Sequence, residues 1–161
     1  MTNAAAPQPA APLRRVLFLC TGNYYRSRFA EGLFNALASR AGLGWRAESR
    51  GLATDWGASN LGPISAETVV ELSRLGVVLE RPWRYPQQVT DADLTQADLV
   101  IALNEFEHRP LLRERFPGWE ARVEYWHILD LGDAPASVVL PLLGHHVRGL
   151  IRRLGTAASA A

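Results

Sequence analysis

Hydrophobic and polar positions follow two different periods along this chain, and the switches between them predict its elements. Val16 to Leu19 are continuously apolar, branched or aromatic, the composition of a strand buried on both faces of a parallel sheet. From Ser27 the period becomes helical, with Phe29, Leu33, Phe34 and Leu37 on one face, Ser27 as the expected N-cap and Gly42 just past the end. Cys20 to Arg26 therefore reads as a strand-to-helix loop. Trp45 to Ser49 alternate as a second strand, and Arg50-Gly51 turns the chain into a loop reaching Pro63. Ser65 is expected to cap a second helix that places Val69, Leu72 and Leu75 near one face and stops at Gly76.

Val77 to Gln88 has no period and reads as irregular. After Asp98, Leu99 to Leu103 form a second wholly apolar run, hence another buried strand. Asn104 is expected to cap the next helix with Glu107 at its third position, Pro110 kinking or restarting it and His108 on its surface. Val123 to Ile128 reads as a fourth strand. Ala136 to Leu154 carries a stripe of Val139, Leu143, Val147, Leu150, Ile151 and Leu154, with Arg152 and Arg153 suiting the negative end of that helix.

Strands that alternate with helices predict an α/β fold, a four-stranded parallel sheet covered on both faces. Right-handed crossovers would bring the Cys20 loop to the carboxyl edge of that sheet. A length of 161 residues, a net charge of +1 and 48% hydrophobic residues fit one globular domain, expected over residues 14–155. Residues 1–13 are Ala- and Pro-rich and read as a disordered tail rather than a secretion signal, and residues 156–161 as a flexible C-terminal tail. No stretch is apolar enough to span a membrane.

The single cysteine rules out an internal disulfide and suits a reducing, cytoplasmic setting. The histidines and the cysteine have no metal-ligand spacing, and His145 and His146, adjacent on a helix, point apart, so neither metal nor cofactor is expected. Arg81, Trp83, Arg84 and Tyr85 interleave charge with aromatic rings. Two arginines on a near-neutral chain are too small a patch for nucleic acid, and the segment reads as ordinary surface or as a contact to substrate.

The candidate chemistry lies in Cys20-Thr21-Gly22-Asn23-Tyr24-Tyr25-Arg26-Ser27. A loop between strand and helix directs several backbone N–H groups, and the positive end of the helix dipole, toward one point near the Cys20 sulfur. An oxyanion would bind there, and the same field favours thiolate over thiol, which makes a nucleophile. The Arg26 guanidinium can grip two oxygens of a phosphate in a fixed fork. All the basic residues of this chain are arginines, so the spacing of Cys20 and Arg26 gains its weight from the strand before, Gly22 within and the amphipathic helix after. The plain alternative is a small buried cysteine at a strand end.

Val-Leu-Phe-Leu-Cys-Thr-Gly-Asn-Tyr-Tyr-Arg-Ser resembles the N-terminal signature of the low-molecular-weight protein tyrosine phosphatases. The resemblance implies a flavodoxin-like three-layer fold of the phosphotyrosine protein phosphatase I type. It implies that Cys20 becomes phosphocysteine, that Arg26 clamps the phosphate, that Ser27 donates to the thiolate and that Asn23 holds the loop's shape. Thr21, Gly22, Tyr24 and Tyr25 complete the substrate-binding loop. Two positions depart from the signature: Tyr25 stands where many members carry a second cysteine, so their protective disulfide cannot form, and Arg28 replaces a common proline. Asp55-Trp56 is similar to a loop whose aromatic ring walls the phosphotyrosine pocket; by composition alone Trp56 can equally fold back on its surroundings.

An acid serving a phosphate at Cys20 must come from another strand end, and the end of the fourth strand offers Asp130 and Asp133. By spacing alone Asp130 is nearly as well explained as a turn residue bonding its own backbone. Trp-His-Ile-Leu-Asp, residues 126 to 130, is similar to the family segment that holds the catalytic aspartate, which favours Asp130, although Leu131 stands where proline is usual and the tyrosines often found beyond are missing. The implied activity is metal-independent hydrolysis of a phosphorylated protein or small aryl phosphate, with inorganic phosphate or sulfate fitting the loop. Two other readings fit the same residues: an arsenate reductase that borrows an external thiol, and a phosphate- or phosphoprotein-binding protein without catalysis. Tyr24 and Tyr25 can either stack on a phenyl ring or crowd it out.

Overall fold

The β1 strand, Arg14–Cys20, is the centre of the sheet, and its alternate residues build two separate cores. Val16, Phe18 and Cys20 join one cluster with Phe29, Leu33, Phe34 and Leu143, while Leu17 and Leu19 join another with Leu94, Val100, Leu111 and Leu112. Phe18, Phe29 and Phe34 are fully buried. Each such side chain contributes roughly 1.5–3 kcal/mol by leaving water. The structure, a computed structural model, describes residues 4–7 and 11–160.

Four parallel strands stand in the order β2-β1-β3-β4, with β2 at Trp45–Gly51, β3 at Leu99–Ala102 and β4 at Glu124–Tyr125. Cys20 pairs in register with Gly51, Leu19 with Ala102, and Ala102 with Tyr125, so the carboxyl ends of all four strands form one edge. The chain leaves β1 for one neighbour and returns to the other side for β3. That reversal opens a crevice beside the end of β1, the place where open α/β sheets bind ligands. Helices α1, Arg26–Arg40, and α5, Ala136–Ala160, pack on one face. Helices α3, Asp91–Gln96, and α4, Glu105–Arg115, cover the other, and α2, Ala66–Arg74, lies beside α1.

Ser65 caps α2 by accepting the Thr68 N–H, and Asn104 caps α4 by accepting that of Glu107, both as the sequence predicts. Several elements differ from expectation: β2 keeps Arg50 and Gly51, read as a turn, within the strand, and α4 runs as one helix through Pro110. α1 begins two residues earlier than a Ser27 cap would place it, with Tyr25 at its N-cap and no capping side chain, and the Ser27 hydroxyl is turned to the Cys20 sulfur instead. β4 is two residues long rather than Val123 to Ile128; the Trp126 and Ile128 N–H groups still reach Ala102 and Leu103, but the strand bends away between them. α3 is an additional helix, started by a capping box in which Thr90 and Asp93 bond each other's backbone. α5 runs on to Ala160 through an alanine-rich segment with high helix propensity, so residues 156–160 continue the helix where a tail was expected. Arg152 and Arg153 therefore stand short of its end, and Arg153 forks onto Glu124 at 2.7 Å.

Of the expected N-terminal tail, residues 1–3 and 8–10, like residue 161 at the other end, lie outside the described residues; 4–7 and 11–13 hold no regular structure. No helix among the described residues is long and apolar enough to cross a membrane.

Candidate active site

The β1–α1 loop closes on the sulfur that begins it. The Asn23 N–H lies 3.2 Å from the Cys20 Sγ and the Ser27 hydroxyl 2.9 Å from it. Either partner could donate in the second contact, and the surrounding bonds decide which. The Asn23 Oδ1 accepts from the Arg84 guanidinium at 2.9 Å and from the Gln87 N–H at 3.0 Å, two groups that can only donate. The amide's Nδ2 therefore faces the other way, and donates to the Ser27 Oγ at 2.8 Å and the Ser49 Oγ at 3.0 Å. The Ser27 oxygen thus receives a hydrogen from Asn23 and hands its own to the sulfur. Two donors converge on Cys20.

Asn23 also carries the loop's backbone strain. Its φ of +52° is left-handed, a region that asparagine tolerates better than other side-chain-bearing residues. The sequence places this freedom at Gly22, whose φ is not positive; Gly22 instead lines the cavity and leaves it open. The glycine that the loop does require is Gly51 on β2. A Cβ there would stand 2.9 Å from the Thr21 carbonyl oxygen and 2.6 Å from the Thr54 Cγ2.

Arg84 corrects the reading of residues 81–85 as ordinary surface. Its guanidinium reaches Asn23, the Ser49 hydroxyl and carbonyl, and Glu31, while its own carbonyl accepts from Arg28 at 2.8 Å. Arg28, only 5% exposed, also donates to the Asn23 and Pro63 carbonyls. Burial, reinforced by Arg84, lowers its pKa to about 10, which still leaves it charged. Arginine at position 28 thus ties the loop to two neighbouring segments.

Arg26 is 2% exposed and bonded at both ends of its fork: to the Ile128 carbonyl at 2.9 Å and to the Glu107 Oε2 at 2.7 Å. Asp130 Oδ2 lies 3.7 Å from it. Burial alone would lower the guanidinium's pKa, but Cys20, Asp130 and Glu107 outweigh it and raise it. Burial likewise opposes the charge on Glu107, yet hydrogen bonding from His108 and the charge of Arg26 prevail and bring it down to about 2.

His108 is fully buried, not a surface side chain. Its Nδ1 accepts the Asn104 N–H at 2.9 Å, so the neutral ring carries its proton on Nε2, which faces the Thr21 hydroxyl at 3.2 Å and Glu107 at 3.3 Å. Burial, and then Arg26, push its pKa down. The sequence reading missed this Arg26–Glu107–His108–Thr21 chain. The available signal was Asn104-Glu105-Phe106-Glu107-His108 at the end of a buried strand, on the edge that holds Cys20.

A cavity of about 170 Å³ is lined by Cys20, Gly22, Tyr24, Tyr25, Arg26 and Asp130, with Asn60, Ser65 and Leu131 at its margin. Most of the residues predicted for the site meet there. Asp133 does not; its N–H closes a turn onto the Asp130 carbonyl. Tyr24 donates its hydroxyl to the Leu61 carbonyl, fixing one wall. Tyr25 is 5% exposed, its hydroxyl has no hydrogen-bond partner among the described residues, and burial, followed by Asp130 and Glu67, pushes its pKa up to about 12. Trp56 is not in this wall. It lies in a 3₁₀ turn, Thr54–Gly57, under the Arg115 guanidinium, and lines a neighbouring groove that shares Thr21 and Asp130 with the site.

Residues 15–130 match the family described as low molecular weight phosphotyrosine protein phosphatase. A protein-arginine-phosphatase of Bacillus subtilis (strain 168) is 30% identical over 108 residues, 67% of each chain. The crystal structure of a low molecular weight protein tyrosine phosphatase from T. tengcongensis superposes with a TM-score of 0.71 at 30% identity, covering 89% of this chain and 99% of that one. The Vibrio vulnificus protein Wzb, solved in complex with benzylphosphonate, has the same fold at a TM-score of 0.72 and 19% identity, over 88% of this chain and 99% of its own.

Proposed function

The chain belongs to the low molecular weight phosphotyrosine protein phosphatase family, and we propose that it hydrolyses phosphorylated protein side chains without a metal, through a phosphocysteine on Cys20. The observation that carries this reading is the convergence of two hydrogen-bond donors on the Cys20 sulfur, in a cavity shared with Arg26 and Asp130. Donors aimed at a sulfur stabilise it as an anion and so as a nucleophile.

In the first step the Cys20 thiolate attacks phosphorus in line. An S–P bond forms, the bond from phosphorus to the leaving oxygen breaks, and Asp130 gives that oxygen its proton. The first turn of α1, which no side chain caps, offers its N–H groups to the equatorial oxygens beside Arg26. In the second step Asp130, now a carboxylate, takes a proton from water as the water oxygen attacks phosphorus. The S–P bond breaks, and thiolate and inorganic phosphate are released. Glu107 and the Ile128 carbonyl hold Arg26 in place throughout.

Phosphotyrosine is the side chain this reading favours. The protein-arginine-phosphatase relative supports a second reading, in which the same sulfur attacks the phosphorus of phosphoarginine and Asp130 protonates the departing guanidine. A cytoplasmic setting suits an unpaired nucleophilic cysteine. Turnover of p-nitrophenyl phosphate, then of phosphotyrosine against phosphoarginine peptides, tests the proposal. Cys20→Ser and Arg26→Ala should abolish it. Tight phosphate binding with no turnover of any of the three would overturn the enzyme reading.

A further inference from the structure

A groove of about 430 Å³ runs from the candidate site along α4, beginning at Thr21 and Asp130 and bounded by Trp56, Phe106, Pro110 and Glu114. Its aromatic walls are exposed to an unusual degree: Phe106 is 89% exposed and Trp56 62%. A phenylalanine in the first turn of a helix with most of its ring exposed leaves apolar surface in water beside a polar site, and such patches mark interaction surfaces. The charges in and around the groove are uneven. Arg26 is committed to Glu107, and Arg115, over Trp56, to Asp55 at 3.0 Å. Glu114, exposed at the far end of the groove, has no ion-pair partner among the described residues.

We propose that this groove binds a basic side chain, arginine or lysine, that flanks the phosphorylated residue of a peptide substrate. The proposal rests on the phosphatase reading above, because the groove adjoins the Cys20 cavity and shares Asp130 with it. A long basic side chain has what these walls lack: methylenes to lie on Pro110, and a cationic head for the Glu114 carboxylate and the Phe106 ring. An acidic side chain would meet Asp130 and Glu114, and a purely apolar one would leave Glu114 unanswered.

The test compares phosphotyrosine peptides that carry arginine, leucine or glutamate on both sides of the phosphotyrosine. The arginine peptide should exceed the glutamate peptide in kcat/KM by roughly tenfold, the scale of one exposed cation–π contact and one surface ion pair. Phe106→Ala and Glu114→Gln should each cut that preference about threefold and leave p-nitrophenyl phosphate turnover unchanged. Equal turnover of the three peptides, a preference for leucine, or a preference unmoved by both substitutions would overturn the proposal. Binding of the same peptides to Cys20→Ser reads the groove independently of chemistry. An absent preference there defeats the groove, whereas a preference retained with no hydrolysis by the unmodified protein defeats only the phosphatase reading.

Discussion

The Arg84 guanidinium donates to the Asn23 side-chain oxygen at 2.9 Å, and together with the Gln87 N–H it sets the direction of a hydrogen-bond chain that ends on the Cys20 sulfur. Without it, the Gln87 N–H alone holds the Asn23 amide in this orientation, and the donor that directs the Ser27 hydrogen is less firmly fixed. Arg84→Ala should lower turnover of p-nitrophenyl phosphate by about tenfold or more, the scale of a lost hydrogen bond to a charged group. Competitive inhibition by phosphate should change less, because Arg26 and the loop backbone remain. Arg84→Lys, which keeps charge but not the fork, should recover part of the loss. Equal activity of all three proteins would show the chain to be idle.

Asp130 and Asp133 stand three residues apart, but only Asp130 faces the cavity, 3.7 Å from Arg26. Asp130→Asn should lower hydrolysis of a poor leaving group such as phenyl phosphate by roughly a hundred- to ten-thousand-fold. It should matter less for p-nitrophenyl phosphate, whose leaving group needs less protonation. Asp133→Asn should change neither rate. The reverse pattern would move the acid to Asp133.

Gly51 supports the phosphate loop from the adjacent strand, and a Cβ there would press on the Thr21 carbonyl, which cannot swing away as a flexible side chain can. Gly51→Ala should lower Tm and weaken phosphate binding together. Gly42→Ala, where nothing lies near but φ is +61°, should lower Tm alone. Intact phosphate affinity in Gly51→Ala would contradict the close packing.

Stability should fall on acidification, and the sign follows from two groups. The pKa of His108 is lower in the folded protein than its ordinary value near 6.5, so its contribution is full above about pH 6.5 and is lost as pH falls toward the folded pKa. Glu107 contributes above the ordinary glutamate pKa near 4.3, and its share is lost as pH falls toward about 2. Thermal unfolding between pH 7.5 and 4.5 should show Tm dropping, with a shallower drop in His108→Asn. Identical slopes would mean that His108 does not titrate in this window.

The sequence carried the fold because β1 and β3 are continuous apolar runs and the long helices are strongly periodic. It carried Cys20, Asn23, Arg26 and Ser27 because those residues fall within one short stretch, from the end of β1 to the first turn of α1. What it hid lies across elements. Arg84 looked like surface because nothing local shows that Asn23, 61 residues earlier, receives its hydrogen bond. His108 looked exposed because its partners, Thr21 and the Asn104 N–H, are assembled only when α4 docks at the sheet edge. The place of Trp56 in the neighbouring groove was not legible, because a short 3₁₀ turn and the Arg115–Asp55 pair hold it there beside Phe106, and neither has a periodic signature.

Tyr25 gives the last prediction, since its ring fills the position where the resemblance expects a second cysteine and its buried hydroxyl has no hydrogen-bond partner among the described residues. A buried donor that makes no hydrogen bond costs about 1–3 kcal/mol, so removing it by Tyr25→Phe should hold or raise Tm. Burial and the nearby Asp130 and Glu67 carboxylates push the phenol to about 12, so it stays protonated across the working range, and the substitution removes a neutral group rather than a charge. If the hydroxyl serves only as ring-borne bulk, turnover of p-nitrophenyl phosphate will match that of the unmodified protein. A fall in kcat with a raised Tm would instead assign it a bond to the transferring phosphoryl group, with stability given up for catalysis at that position.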